Sequence, residues 1–318
     1  MDQTSKAISS PSPLLKVKDL SVSFRQYTKG LRKTVTQVIS NLDVEIHAGE
    51  VLAVVGSSGS GKSLLAHAIL GILPANATIT GILQFRGEEL TSKKQAALRG
   101  KQLALIPQSV NYLDPLMQVG KQVQHAVRGK DARAVQEAVF ARYQLVPEVA
   151  SFYPFQLSGG MARRVLIANA LVRDAQLIIA DEPTTGLDGS VIAETLGHFR
   201  QLADEGRGVM MITHDIEAAL SIADRIAIFY AGTTVEIAPV ANFCGEGDAL
   251  RHPYSRALWQ ALPQNQFRPI PGFQPQPHQL PTGCLFHPRC SMATAACKTV
   301  APEARQVRGG MVRCLHAT

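Results

Sequence analysis

The sequence predicts an α/β protein with a largely parallel central sheet, followed by a small and chemically distinct C-terminal extension. Three observations predict it. Short apolar runs, "VLAVV" at 51–55, "LIIAD" at 177–181, "GVMMIT" at 208–213 and "RIAIF" at 225–229, are separated by helical stretches, the pattern of strands covered on both faces by crossover helices. Between the first run and the helix behind it lies "GSSGSGKS", 56–63. Four of the five cysteines crowd into 284–314, beyond a Pro/Gln-rich stretch.

In chain order, residues 1–13 have no apolar stretch of a secretory leader and read as a flexible N-terminus. Residues 14–24, "LLKVKDLSVSF", alternate apolar and polar and predict a strand. "RQYTKGLRKT", 25–34, reads as a basic loop, and "VTQVISNLDVEIHAGE", 35–50, as a strand pair closing on a turn. A buried strand follows at 51–55, then a helix from Lys62 to about Gly71. "LALIPQ", 103–108, is a short strand ending in a Pro-Gln loop, and the pattern is helical from about Asp114 to Phe155. "ARRVLIANALVR", 162–173, is a further helix, ahead of the three remaining apolar strands. The composition shifts after Phe243, and "PQNQFRPIPGFQPQPHQLPTG", 263–283, has too much proline for helix or central strand and reads as a linker.

The chain of 318 residues is 46% hydrophobic, enough for a sizeable core. Its net charge of +7 is scattered, with no run of five basic residues. That predicts a solvated basic surface, with an anionic membrane face as the second reading and no nucleic-acid partner. No stretch approaches the roughly 18 apolar residues of a spanning helix, so a cytosolic protein is expected.

The glycine-rich loop fits G-x-x-x-x-G-K-[ST] at Gly56, Gly61, Lys62 and Ser63. Such a loop curls so that the N–H groups of Ser57, Ser58, Gly59 and Ser60 face an anion, aided by the dipole of the next helix. Lys62 is placed to reach the terminal phosphates and the Ser63 hydroxyl to hold Mg²⁺. The apolar strand at 177–181 ends in Asp181, placed to hold Mg²⁺, and Glu182, placed to polarise a water for attack on the γ-phosphate. "LSGGM", 157–161, sets Ser158, Gly159 and Gly160 at a helix start, a second anion site. Two such sites in one chain make sense if the second serves another subunit's nucleotide; a P-loop kinase would lack the second.

These residues together resemble the ATP-binding subunit of an ABC transporter: "GSSGSGKS", the glutamine of "LIPQ", "LSGG", "LIIADE", "GLD" and "ITHD" match that family in order and spacing over about 14–240. The resemblance implies a P-loop NTPase (RecA-like) core with a β-subdomain and a helical subdomain near 109–160, within a nucleotide-binding domain of 14–243. It implies that Gln108 contacts Mg²⁺ and the attacking water, that Asp188 lies at a dimer seam, and that His214 holds the water with Glu182. Phe24 aligns with the adenine-stacking aromatic, with Tyr27 close by. Two subunits would sandwich two ATPs, each site completed by the other chain's Ser158, Gly159 and Gly160. "MARRV" departs from the usual "MRQRV", and Gly189 follows Asp188 where a branched residue is common. A non-transport ABC ATPase of DNA repair or translation is the competing class; the helical insert here is too short for the coiled coil of the former, and one cassette is too few for the latter.

"RHPYSRALWQALP", 251–263, and the cysteine-rich end resemble the extension, here 244–318, of the dipeptide, oligopeptide and nickel importer branch. The resemblance implies a 4Fe–4S cluster on Cys284, Cys290, Cys297 and Cys314. Four thiolates suit iron–sulfur or zinc, but C-x5-C-x6-C-x16-C lacks the paired spacing of zinc ribbons; reduced, unligated thiols are the remaining reading. His287 and His316 are alternative ligands, and Cys244 is a plain thiol. The implied partners are a sister ATPase in a heterodimer, two membrane permeases and an extracytoplasmic binding protein, at the cytoplasmic face of the inner membrane. The implied cargo is short peptides, or alternatively nickel or a metal chelate.

Overall fold

The computed structural model describes residues 12–28, 32–127 and 131–318; of the expected flexible N-terminus, residues 1–11 lie outside them. The chain runs β1 (Leu15–Thr28), β2 (Arg32–Ile46), β3 (Val51–Gly56), α1 (Lys62–Leu70), β4 (Ala77–Phe85), β5 (Glu88–Glu89), α2 (Ser92–Leu98) and β6 (Leu103–Ile106). It continues α3 (Val119–Ala126), α4 (Ala132–Arg142), α5 (Gly159–Leu171), β7 (Leu177–Asp181), α6 (Gly189–Asp204), β8 (Gly208–Thr213), α7 (Ile216–Ile222), β9 (Arg225–Tyr230) and β10 (Thr233–Pro239). It closes with α8 (Pro253–Gln260), α9 (Ala295–Thr299), β11 (Arg305–Val307) and β12 (Gly310–Val312).

Among the described residues the central sheet has the order β11-β12-β10-β9-β3-β8-β7-β6, parallel from β9 to β6 and antiparallel at the β10–β12 end. The continuous apolar runs follow from burial on both faces. Val51, Ala53 and Val55 point into one core with α5, α6 and α7, while Leu52 and Val54 point into a second core shared with α1 and the β1–β4 sheet. The smaller antiparallel sheet, β2-β1-β4-β5, covers that second face.

Four expectations change. The described part of the basic loop expected at 25–34 is strand, residues 29–31 lying outside the described residues: β1 runs on to Thr28, β2 begins at Arg32, and Arg25 pairs with Val35 and Tyr27 with Lys33. Both faces of this ribbon are wet, with Tyr27 67% and Val35 64% exposed on one and Gln26 and Thr34 exposed on the other, so no burial-driven alternation marks it. The helical run from Asp114 to Phe155 breaks into α3, α4 and single 3-10 turns at Pro147–Ser151 and Pro154–Gln156, each opened by a proline that lacks an N–H to donate. The strand pair expected at 35–50 is a single strand, β2, running on to Ile46 before the turn. Finally, the C-terminal extension is joined to the main sheet, because Glu236 and Ile237 of β10 pair with Val312 and Met311 of β12.

Candidate nucleotide site

The loop after β3 opens at the carboxyl ends of the parallel strands, where sheets of this kind bind ligands. A side chain at Gly56 would run into the Phe229 carbonyl at 2.4 Å. Gly59 and Gly61 have φ of 77° and 96°, the left-handed region that disfavours other residues. Gly61 caps α1 with no side chain, so the helix's first N–H groups face outward unpartnered by a cap.

Residues 58–64 line a cavity of about 530 Å³ with Val38, Gln108, Glu182, Thr185 and His214. Lys62 is buried, its Nζ donating to the Gly56 carbonyl (2.7 Å) and the Ser57 carbonyl (3.2 Å). Burial lowers its pKa, opposed by the charges of Glu182 and Asp181. At the end of β7, burial raises the Asp181 pKa, while a hydrogen bond from Ser63 lowers it. Asp181 Oδ1 and Ser60 Oγ are buried without a partner. A carboxylate and a hydroxyl facing each other, with one carboxylate oxygen unspent, is an oxygen donor set that suits a hard cation such as Mg²⁺.

Glu182 has φ of 47° and is nearly buried. Its Oε2 lies 2.9 Å from His214 Nδ1, and the His214 side chain is largely exposed. A carboxylate held against an imidazole at the cavity wall can accept a proton from water and keep that water in place.

Gln108, Glu182, His214 and the glycine-rich loop therefore meet in one cavity, with Asp181 behind Ser63. Ser158, Gly159, Gly160 and Asp188 do not line it. Ser158 caps α5, accepting from the Met161 N–H at 3.2 Å, and both Ser158 and Gly159 are exposed. Exposed Asp188 caps α6 without a side-chain hydrogen bond, and Val191 of α6 lies 3.9 Å from where a Gly160 side chain would begin. The two helix starts thus share an outward face. Phe24 is half-buried against the second core, outside the cavity lining.

Two contributors carried no functional signal in the sequence. Arg163, visible there only as a departure from a familiar run, is buried between the Gln108 loop and Glu182. The Pro/Gln-rich linker reaches the nucleotide loop: the Ser57 hydroxyl donates to the Gln274 side-chain carbonyl. No periodicity in a linker announces such a contact.

In the extension, His252 caps α8, its Nδ1 accepting from the Tyr254 N–H at 3.0 Å, with Pro253 at the first helical position. Cys297 and Cys314 are buried, Cys284 and Cys290 half-buried, and Cys244 exposed. The Cys284 N–H donates to the Cys297 carbonyl at 2.9 Å, and Cys297 Sγ lies 3.4 Å from His316 Nε2. Burial raises the pKa of Cys284 and Cys290, with the other thiols close enough to add to it. His287 bonds within its own turn, to the Cys284 carbonyl. Among the described residues, no three His, Cys, Asp or Glu side chains are gathered as a metal-binding group. The thiols share a neighbourhood without forming a ligand set.

Fold and cavity define the class, a P-loop nucleotide hydrolase of α/β architecture. A family model described as ABC transporter matches residues 39–185, and one described as Oligopeptide/dipeptide transporter, C-terminal region, matches residues 235–297. The oligopeptide transport ATP-binding protein OppD of Haemophilus influenzae is 34% identical over 320 residues, covering 95% of this chain and 96% of its own length. The dipeptide transport ATP-binding protein DppD of the same organism is 35% identical over 320 residues, covering 95% and 94%. The dimeric structure of the bacterial ABC transporter cassette MJ0796 superposes with a TM-score of 0.62 at 25% identity, over 71% of this chain and 98% of that one. The chain belongs to the ABC transporter ATP-binding subunits of the oligopeptide/dipeptide importer family, and it is an ATPase. No helix among the described residues is long and apolar enough to cross a membrane.

Proposed function

We propose that this ATPase energises the uptake of short peptides as one member of a heterodimer with a sister ATPase, docked on two membrane permeases at the cytoplasmic face and fed by an extracytoplasmic binding protein. One observation carries it. The cavity holds the phosphate loop, Glu182 and His214, while Ser158, Gly159, Gly160 and Asp188 lie outside its lining, with Ser158, Gly159 and Asp188 exposed. Donors that cannot reach their own nucleotide are free to complete a neighbour's. The two peptide-transport relatives support peptides over nickel or a metal chelate as the cargo. Matching over nearly the whole chain, extension included, supports import over DNA repair or translation.

In this scheme residues 14–243 form the nucleotide-binding domain, with its helical part near 109–160, and 244–318 the extension. The loop N–H groups and Lys62 bind the phosphates of ATP. Ser63 and Asp181, with Gln108, would hold Mg²⁺, which when bound offsets charge on the phosphate oxygens. Glu182 takes the proton of the attacking water, and His214 keeps Glu182 and the water aligned. Phe24 is the candidate for stacking on adenine.

The test is Glu182→Gln in the assembled transporter. ATP binding should stay within about twofold while turnover falls at least about a hundredfold, the low end of what loss of a general base costs, leaving the two ATPases closed on each other. Undiminished turnover removes Glu182 as the base.

The cluster on Cys284, Cys290, Cys297 and Cys314 is supported by the shared neighbourhood of the thiols and opposed by the absence of a gathered ligand set. Anaerobically purified protein should be brown through thiolate-to-iron absorption and lose the colour in Cys290→Ser. Colourless protein with stoichiometric zinc, or with free thiols, ends that assignment.

A further inference from the structure

Arg163 is 2% exposed. Its Nη1 donates to the Pro107 carbonyl at 2.6 Å, and its Nη2 to the carbonyls of Gln108 at 3.1 Å and Glu182 at 2.9 Å. All three of these bonds end on backbone carbonyls rather than on a carboxylate. Burial works against its charge, with only the nearby Asp181 opposing that effect. A guanidinium is a costly group to place so deep without a paired anion.

Arg163 lies where the sheet opens. β6 and β7 pair in parallel up to Ile106 and Ala180, and their chains separate at the next residues. Arg163 clasps the two diverging ends. On the β7 side it grips a strained residue. Glu182 sits at φ of 47°, a region a non-glycine residue occupies only when its surroundings hold it there. Its N–H donates to the Ile212 carbonyl at 2.8 Å, and its own carbonyl accepts from Arg163. The peptide is thus fixed at both ends, which aims the side chain at His214. On the β6 side Arg163 holds the loop that carries Gln108 into the cavity. The arginine itself belongs to α5, the helix that Ser158 caps.

We propose that Arg163 is a positioning residue that locks the Gln108 loop, the strained Glu182 peptide and the start of α5 into one moving unit. A shift of Gln108 or Glu182 on the γ-phosphate is then carried to Ser158, Gly159 and Gly160, the groups offered to the sister subunit's nucleotide. Occupancy of one site thereby sets the geometry of the other. This rests on the heterodimer reading above.

The experiment compares Arg163→Met, an uncharged side chain with no hydrogen-bond donor, and Arg163→Lys with the natural chain in the complex with sister ATPase and permeases, measuring kcat, the KM for MgATP and the Hill coefficient for ATP. Arg163→Met should lower kcat at least tenfold, leave KM within about twofold, and bring the Hill coefficient down toward one; small displacements of catalytic groups cost up to about a hundredfold. Arg163→Lys, which keeps the charge but reaches fewer carbonyls, should recover part of both kcat and cooperativity. Variants that match the natural chain in kcat and Hill coefficient overturn the proposal. So does a loss of activity that only tracks the fraction of folded protein, with lysine no better than methionine. If the methionine variant does not fold, the lysine variant decides by the same criteria; if neither folds, Arg163 is a structural tie and the proposal fails. A natural complex with no ATP turnover sinks the transport reading and this inference with it. A natural complex that turns over with indifferent variants sinks this inference alone.

Discussion

Arg163 and His252 are both ionisable side chains at 2% exposure or less, and they meet burial in opposite ways. Arg163 stays charged and draws three carbonyls to itself. His252 stays neutral, because complete burial depresses its pKa to about 3 and its Nδ1 must remain an acceptor to cap α8. The buried Glu236 carboxylate accepts from the N–H groups of both Arg251 and His252, at 2.9 Å each, and so fixes the backbone at the start of the turn. The consequence for pH has a definite sign. Between about 3 and the ordinary histidine value near 6.5 the unfolded chain binds a proton that the folded chain refuses, so stability falls as the pH falls through that window. Urea titrations from pH 7 to pH 4 should show a slope that His252→Asn, which can still cap the helix, reduces by up to about 1.4 kcal/mol per pH unit. An unchanged slope removes His252 as its source. In the sequence, the "HPY" tripeptide was a mark of kinship; that it is a helix cap built around an uncharged imidazole comes from the packing against Phe286 and Glu236.

At the scale of elements, the parallel strands were legible because each is buried on both faces and so reads as an unbroken apolar run. The loop after β3 was legible because glycine at φ of 77° and 96° has few substitutes. β11 and β12 were not, because three-residue strands at a sheet edge carry no periodicity, with Arg305 and Gln306 exposed. Yet Met311 and Val312 are buried: Met311 joins the second core, Val312 packs with Cys314 and Ala317, and both pair with the β10 edge. Met311→Ala should therefore destabilise the whole protein by about 2 kcal/mol, in the lower part of the range for truncating a buried methionine, while Gln306→Ala across the same hairpin should stay within about 0.5 kcal/mol. A single cooperative unfolding transition should report both. A separate early transition of the tail, with the main transition unmoved in Met311→Ala, would show that the extension does not share the sheet's stability.

For the whole molecule, the extension is bound to the nucleotide domain at three levels: the β10–β12 ladder, the ion pair of Arg313 with Asp43, and the contact of Gln274 with Ser57 in the phosphate loop. Arg289 supports the last of these, donating to the Pro271 carbonyl at 2.7 Å and the Ile270 carbonyl at 3.2 Å from a position over Tyr230 and Phe286. The linker that composition marks as irregular is irregular, but it lies against the site. The sequence by itself determined the α/β class, the phosphate loop, the acidic strand end and the kinship of the tail, because each rests on local rules: burial period, glycine conformation, and short motifs whose spacing is fixed along the chain. Tertiary structure alone decided which of these residues share a cavity, that Ser158 and Asp188 do not line it, that Arg163 clasps two diverging strands, and that the four thiols approach without gathering. Those are contacts between residues far apart in the chain, and no local pattern encodes the distance between them.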